Sequence, residues 1–191
     1  MRKIGILGGT FDPPHIGHLL IAEEVRRAKQ LDEIWFIPTN TPPHKEETTT
    51  SAEHRTSMLQ LVIRSHPSFK LNKIELQREG KSYTYDTIRE LKKTFPSIEF
   101  YFIIGGDMVE FLPKWYRINE LLDIVTFVGV ERPGYSLETT YPVHFVDIPT
   151  IHLSSTMLRE RLQQKEWVRY LLPDSVMQYV KEHHLYGFRC N

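Results

Sequence analysis

The sequence predicts an α/β protein built on a doubly wound, mostly parallel sheet, and three observations carry that prediction. Short continuous apolar runs recur along the 191 residues, at Ile4–Leu7, Ile34–Ile37, Phe100–Ile104 and Val125–Val130. Runs of that kind suit strands covered by helices on both faces. Between them lie stretches with apolar residues at helical spacing, such as Leu19, Leu20, Ala22 and Val25. Strand runs alternating with amphipathic helices give the α/β class. Finally, the runs end on Gly8-Gly9, Pro38, Gly105-Gly106 and Arg132-Pro133-Gly134, residues that break strands and turn the chain.

Ile4-Gly5-Ile6-Leu7 is read as a buried strand entering a tight turn, and Thr10-Phe11-Asp12-Pro13-Pro14 excludes a helix by its two prolines. A helix is predicted from near Gly17 to about Lys29, then a strand over Ile34–Ile37. That is one βαβ unit, expected to be parallel and right-handed. Thr39 to Thr50 is polar and reads as loop. Thr50 with Glu53 forms a capping box for a helix through Ser65, with Met58, Leu59, Leu61 and Val62 inward. Strand-like pieces are expected between Lys70 and Leu76, and a turn-rich loop over Arg78–Tyr83. A helix over about Tyr85–Thr94 takes Thr84 as its cap. Val143–Val146 is a weaker strand. Ser154-Ser155-Thr156 opens a helix to about Gln164, and Pro173 fits the first turn of a last helix ending near His183. No repeat or long linker divides the chain. One domain over 1–191 is expected, with a helical portion from about residue 154.

Composition narrows the function classes. Twenty-four Lys and Arg balance 24 Asp and Glu, which gives no general drive toward a nucleic acid polymer or an anionic membrane. Any polyanion must be gripped locally. A 40% hydrophobic and 12% aromatic content supports a sizeable core and argues against intrinsic disorder. With Cys190 as the one cysteine, neither an internal disulfide nor a cysteine zinc cluster can form. The apolar stretch Ile4–Leu7 is too short for a signal peptide, and no run reaches the about 20 residues of a membrane helix. The expectation is a soluble protein of a reducing compartment, the cytoplasm. Self-association is left open.

Ligands of open α/β sheets bind beyond the carboxyl ends of the strands. Three exits here carry unusual residues: Gly8-Gly9-Thr10, Gly105-Gly106-Asp107 and Arg132-Pro133-Gly134. At the first, His15 and His18 follow at a spacing that puts both imidazoles on one side of a helix start. A helix N-terminus offers free N–H groups and a partial positive charge to an anion. Two glycines alone would be a turn. The glycine pair, the proline pair and the paired histidines together read as a phosphate site. It is not the Gly-Lys-Ser/Thr loop, because that sequence is absent. Far downstream, Ser154-Ser155-Thr156 with Arg159 offers hydroxyls and a guanidinium at a second helix start, which exceeds what a simple cap needs. A zinc site from His15, His18 and Asp12 would be short of ligands, so no metal-ligating side chains are assigned.

These segments carry a resemblance. Gly8-Gly9-Thr10-Phe11-Asp12-Pro13-Pro14-His15-Ile16-Gly17-His18 and Leu153-Ser154-Ser155-Thr156-Met157-Leu158-Arg159 resemble the T/HxGH and ISSTxxR motifs of a nucleotidyltransferase superfamily. Lys81-Ser82-Tyr83-Thr84-Tyr85-Asp86-Thr87, Ile104-Gly105-Gly106-Asp107-Met108 and Pro113-Lys114-Trp115-Tyr116 are similar to the bacterial nicotinate-nucleotide adenylyltransferase family, over essentially the whole chain. The resemblance implies a Rossmann-like nucleotidyltransferase fold. It also implies a reaction of NAD biosynthesis: ATP and nicotinate mononucleotide give nicotinate adenine dinucleotide and pyrophosphate, with Mg2+.

By resemblance, Gly8, Gly9, Thr10 and Phe11 approach ATP through backbone groups. His15 and His18 contact its phosphates, and His18 meets the α-phosphate in the transition state. Ser155, Thr156 and Arg159 hold the leaving pyrophosphate; Gly105 and Asp107 lie near the ribose or phosphates, and Arg132 borders the adenine. His15, His18 and Arg159 are thus the catalytic candidates. On the acceptor side, Trp115 stacks on the pyridine ring, Thr84 and the backbone near Tyr116 meet the carboxylate, and His44 and Lys45 reach the mononucleotide phosphate. Two positions depart from the family pattern: Leu153 stands for the usual Ile, and Lys81 for a common proline. A related adenylyl- or cytidylyltransferase with another phosphate acceptor is the alternative reading. A class I aminoacyl-tRNA synthetase shares His-Ile-Gly-His, but this chain lacks a Lys-Met-Ser-Lys-Ser segment. A non-catalytic nucleotide-binding module is disfavoured by the intact His15, His18, Ser155, Thr156 and Arg159 set.

Overall fold

The computed structural model describes residues 1–40, 49–78, 80–130, 138–149 and 151–188. Six strands form one sheet: β1 (Arg2–Gly9), β2 (Glu33–Pro38), β3 (Phe69–Leu71), β4 (Ile98–Gly105), β5 (Thr126–Val130) and β6 (Val143–Val146). The order is β3-β2-β1-β4-β5-β6 and every pairing is parallel. The chain starts in the middle of the sheet, winds out to β3, then returns to β4 and winds the other way. The β1–β4 junction is therefore the topological switch point, where doubly wound sheets open a crevice.

Alternation along the strands explains the two core layers. Leu7, Ile34, Phe36, Ile103 and Val128 face helices α1 (Ile16–Ala28), α2 (Ala52–Ile63), α6 (Ser155–Gln163) and α7 (Asp174–Glu182). Ile4, Ile6, Trp35, Ile37, Phe100 and Phe127 face α3 (Thr84–Thr94), α4 (Gly106–Phe111) and α5 (Ile118–Leu122). The C-terminal helices share the first layer, where Leu158, Leu162, Val176 and Val180 are buried. Among the described residues, no helix is long and apolar enough to cross a membrane.

Several expected boundaries shift for identifiable reasons. The cap of α2 is Ser51, whose hydroxyl accepts the His54 N–H, so Thr50 is not the capping residue. Thr84 is the first residue of α3, and the cap position falls to Tyr83. Of the segment Lys70–Leu76 only the start is strand; Ile74–Gln77 is a 3-10 turn. Pro173 occupies the cap position of α7 rather than its first turn. The short helices α4 and α5 lie in a stretch, Gly106–Leu122, with no full amphipathic turn pattern to announce them.

Two loops at the carboxyl edge of the sheet are joined by a buried arginine. Arg55 lies in α2, 1% exposed, on the same stripe as Met58, Leu59 and Val62. Its Nη1 donates to the Thr10 carbonyl at 2.7 Å and the Thr39 carbonyl at 2.9 Å, and its Nε to the Thr50 carbonyl at 3.2 Å. Burial pulls its pKa below the ordinary arginine value, and the nearby Asp12 carboxylate opposes that. The loops after β1 and β2 and the start of α2 are thereby held together.

Gly5 sits where a Cβ would strike Ile34 Cδ1 and lie 2.8 Å from Leu31 Cδ1, both fully packed. Gly5→Ala is expected to cost about 1–3 kcal/mol through overpacking, read as a lower urea midpoint at unchanged slope. Arg55→Met keeps the apolar stem but leaves three carbonyls without their donor. A loss of about 1–3 kcal/mol in the same titration is expected, since an unmet buried acceptor carries its full desolvation penalty.

Candidate active site

A cleft of about 570 Å³ opens at the carboxyl ends of β1 and β4. Its walls come from Leu7–Thr10 at the exit of β1, Phe102–Gly105 of β4, and Asp107 of α4. His15 and His18 enter from the start of α1, and Ile151 and Leu153 from the segment leading into α6. Two of the three strand exits singled out from sequence thus meet in one cavity. The third begins at Val130, which also lines it; Arg132 lies outside the described residues.

At the end of the cleft where α1 begins the two imidazoles are stacked, with centroids 3.7 Å apart and planes 22° apart. His15 is the cap residue of α1 and is 4% exposed. His18 Nδ1 accepts the backbone N–H of His15 at 3.2 Å. An accepting Nδ1 carries no proton, so the neutral ring holds its hydrogen on Nε2 as a donor. Phe11, buried and at a left-handed φ of 52°, packs edge-on against His18 at 5.0 Å. It supports the ring from below and is not itself among the cleft-lining residues. The absence of a Cβ at Gly9 matters here, because a Cβ there would lie 3.1 Å from the Phe11 ring.

The tip of α6 docks directly on this loop. Ser154 caps the helix by accepting the Met157 N–H. The Ser155 hydroxyl donates to the Pro13 carbonyl at 2.9 Å, and Arg159 Nη1 donates to the Asp12 carbonyl at 2.8 Å. Arg159 Nη2 reaches Thr156 Oγ1 at 3.3 Å. The two helix starts, distant in sequence, share one rim. Ser155, Thr156 and Arg159 flank the cavity rather than line it. Arginine has further N–H donors beyond these bonds.

Asp12, considered above as a metal ligand, is committed elsewhere. It is 3% exposed, and its Oδ2 accepts the Thr49 amide at 3.1 Å and the Thr49 hydroxyl at 2.6 Å. Its Oδ1 accepts the Tyr186 hydroxyl at 2.7 Å. Among the described residues no group of three or more His, Cys, Asp or Glu gathers around a metal position.

The opposite end of the cleft is aromatic. Trp115 stands edge-on to Phe102 at 5.9 Å and Phe127 at 5.8 Å, which fixes its ring, and its Nε1 is buried without a hydrogen-bond partner. Tyr116 is half exposed beside Tyr83, at 4.9 Å between ring centroids. Thr84 joins this wall from the start of α3. His44 and Lys45 fall outside the described residues.

Sequence reasoning passed over several groups. Glu75 is buried yet lines the cleft, and burial pushes its carboxyl above the ordinary range, opposed by the Thr87 hydroxyl and by Arg78. Arg78 Nη2 donates to Thr87 Oγ1, which donates on to Glu75 Oε1 at 2.9 Å, tying the 3-10 turn to α3. Lys114 is a further cleft residue. Arg55 was detectable as a charge on an apolar stripe. Glu75 and Tyr186 had no local signal, since only their distant partners explain them.

The comparisons agree with this geometry. The cytidylyltransferase-like family matches over residues 6–161. The chain is 81% identical, over all of both chains, to a protein of Oceanobacillus iheyensis named "Probable nicotinate-nucleotide adenylyltransferase". It is 55% identical to the nicotinate-nucleotide adenylyltransferase of Bacillus subtilis, over 97% of this chain and 99% of that one. The structure of Plasmodium falciparum nicotinic acid mononucleotide adenylyltransferase complexed with NaAD superposes with a TM-score of 0.85 at 21% identity, covering 99% of each chain, which speaks for the fold. With a doubly wound sheet, twin imidazoles at its switch point and relatives alike from end to end, the chain belongs to the cytidylyltransferase-like family and, within it, to the nicotinate-nucleotide adenylyltransferases.

Proposed function

We propose that this protein transfers the adenylyl group of ATP to nicotinate mononucleotide, releasing pyrophosphate and forming nicotinate adenine dinucleotide in NAD biosynthesis. The observation that carries the reading is that one cavity holds both a phosphate end, His15 and His18 at the tip of α1, and an aromatic end, Trp115, Tyr116 and Thr84. A binding module for ATP alone has no need of the second.

The acceptor phosphate oxygen attacks the α-phosphorus in line. The new P–O bond forms as the bond to the β-phosphate bridging oxygen breaks, and pyrophosphate leaves with that electron pair. A phosphate monoester is already ionised at neutral pH, so no general base is required. Positioning and charge stabilisation carry the rate. His18 donates from Nε2 to an α-phosphate oxygen, and its Nδ1 bond to the His15 amide holds the ring in that tautomer. His15 stacks beneath it and completes the cap. Gly8, Gly9 and Thr10 offer backbone to ATP, while Gly105 and Asp107 border the ribose and phosphates. Ser155, Thr156 and Arg159 grip the leaving pyrophosphate from the facing helix tip, with Arg159 stabilising the charge that develops on it. Mg2+ enters with ATP as part of the substrate, held by phosphate oxygens and water. Trp115 takes the pyridine ring, and Thr84 with the Tyr116 backbone takes the carboxylate. Donors at that point reject an amide, whose NH2 would face them.

Purified protein with ATP and Mg2+ is expected to release pyrophosphate on addition of nicotinate mononucleotide and at least about tenfold less efficiently with the nicotinamide form, a discrimination an unmet polar pair supports. Equal efficiencies would remove the carboxylate assignment, and release with a different phosphate acceptor alone would favour the alternative transferase. His18→Ala is expected to lower kcat by roughly 10²-fold or more, on the scale of a lost transition-state donor. Its urea midpoint should move little, because His18 lies at the cleft wall; a loss of folding stability equal to the loss of rate would make it a packing residue.

A further inference from the structure

We infer that Tyr186 is a positioning residue for the phosphate end of the cleft, acting through Asp12; the inference rests on the adenylyl-transfer reading above. Tyr186 lies 174 positions beyond Asp12, in a turn that follows the last helix. Its hydroxyl donates to Asp12 Oδ1 at 2.7 Å, a bond buried from solvent. The backbone bends sharply to deliver it: His184, Tyr186 and Gly187 have φ values of 50°, 56° and 71°. Two of the three are non-glycine residues in the left-handed region, a conformation that costs energy unless the surroundings hold it. The turn buries the Tyr186 ring in the core and sets its hydroxyl on the loop that precedes the twin histidines. Burial and the Asp12 charge push the Tyr186 hydroxyl above the ordinary tyrosine range, so it stays a donor.

Asp12 is where the loop is controlled. Its carbonyl accepts Arg159 Nη1, its Oδ2 accepts the Thr49 amide and hydroxyl, and Arg55 holds the neighbouring Thr10 carbonyl. Tyr186 supplies the donor on the remaining carboxylate oxygen. With that donor gone, the carboxylate turns toward other donors or water, and the Asp12–Pro13 backbone between Arg159 and His15 follows it. His15 and Arg159 are then displaced together, although neither is touched. Tyr186 reaches neither the aromatic end of the cleft nor Trp115, so acceptor binding is left as it was.

The test is steady-state kinetics on the full chain with ATP, Mg2+ and nicotinate mononucleotide. Tyr186→Phe keeps the ring and removes the hydroxyl. Its kcat is expected to fall roughly tenfold or more, as a displacement of under an ångström at the reacting centre would produce, with KM for the mononucleotide within about twofold. Asp12→Asn is expected to lower kcat at least as far, and adding Tyr186→Phe to it should lower kcat no further. Ile98→Ala, at the far end of β4, controls for general loosening: it should lower the urea midpoint and leave kcat intact. If Tyr186→Phe is only marginally stable, the same comparison is made at a lower temperature at which circular dichroism shows the variant and the unmodified protein both folded. A wild-type kcat in the folded Tyr186→Phe protein overturns the inference. So does a loss of rate that Ile98→Ala reproduces at equal stability, or a loss confined to mononucleotide KM. Absence of turnover in the unmodified protein would instead overturn the functional reading, so the two failures are told apart.

Discussion

A carboxylate withdrawn from water has to be met by donors, and at Asp12 they come from widely separated parts of the chain. Thr49 approaches from the segment before α2 and Tyr186 from the C-terminal turn. Arg159 takes the Asp12 backbone carbonyl from α6, and Arg55 takes the adjoining Thr10 carbonyl from α2. Each bond alone is modest. Removing the Tyr186 hydroxyl leaves Oδ1 short of its donor, which costs more than the bond contributes, whereas Oδ2 has two donors from Thr49. The arrangement fixes the loop between β1 and α1 that leads into His15, the cap of α1, and His18 in its first turn.

The chain has no net charge, and this suits the way the cleft is built. No field spread over the surface draws in a triphosphate. In the function proposed for it, attraction falls instead to two helix starts that face one rim, with imidazoles on one and hydroxyls and a guanidinium on the other. Helix N-termini supply partial positive charge that needs no titration, and their amides are fixed by the helices behind them. The Nδ1 bond from the His15 amide adds direction, since a neutral His18 ring then carries its hydrogen on Nε2.

The aromatic end works by shape more than by charge. Trp115 is braced by Phe102 and Phe127 from the sheet, so its ring keeps one orientation. Below it, the relay from Arg78 through Thr87 to Glu75 joins the turn at Ile74–Gln77 to the start of α3, where Thr84 sits. Burial pushes the Glu75 carboxyl above its ordinary range, opposed by the Thr87 hydroxyl and by Arg78. The relay thus ties together the elements that carry the wall of this end.

Local pattern was enough for the sheet. Ile4–Leu7, Ile34–Ile37, Phe100–Ile104 and Val125–Val130 are continuous apolar runs, and the helices between them bear apolar stripes. These patterns are short-range, set by the strand and helix periods, and so they survive in the linear sequence. The same holds for the glycine, histidine and hydroxyl motifs, whose chemistry belongs to neighbours a few residues apart. At α2 the cap fell one residue later than expected because the adjacent hydroxyls of Thr50 and Ser51 compete for the same amides. What only the tertiary structure decided was which distant groups satisfy each other: that Arg55 turns inward to three carbonyls, that Asp12 gathers donors from Thr49 and Tyr186, and that Tyr186 closes on it from the far end of the chain. Such pairings are imposed by the need to meet every buried polar group, a condition on the folded whole that no stretch of sequence expresses by itself.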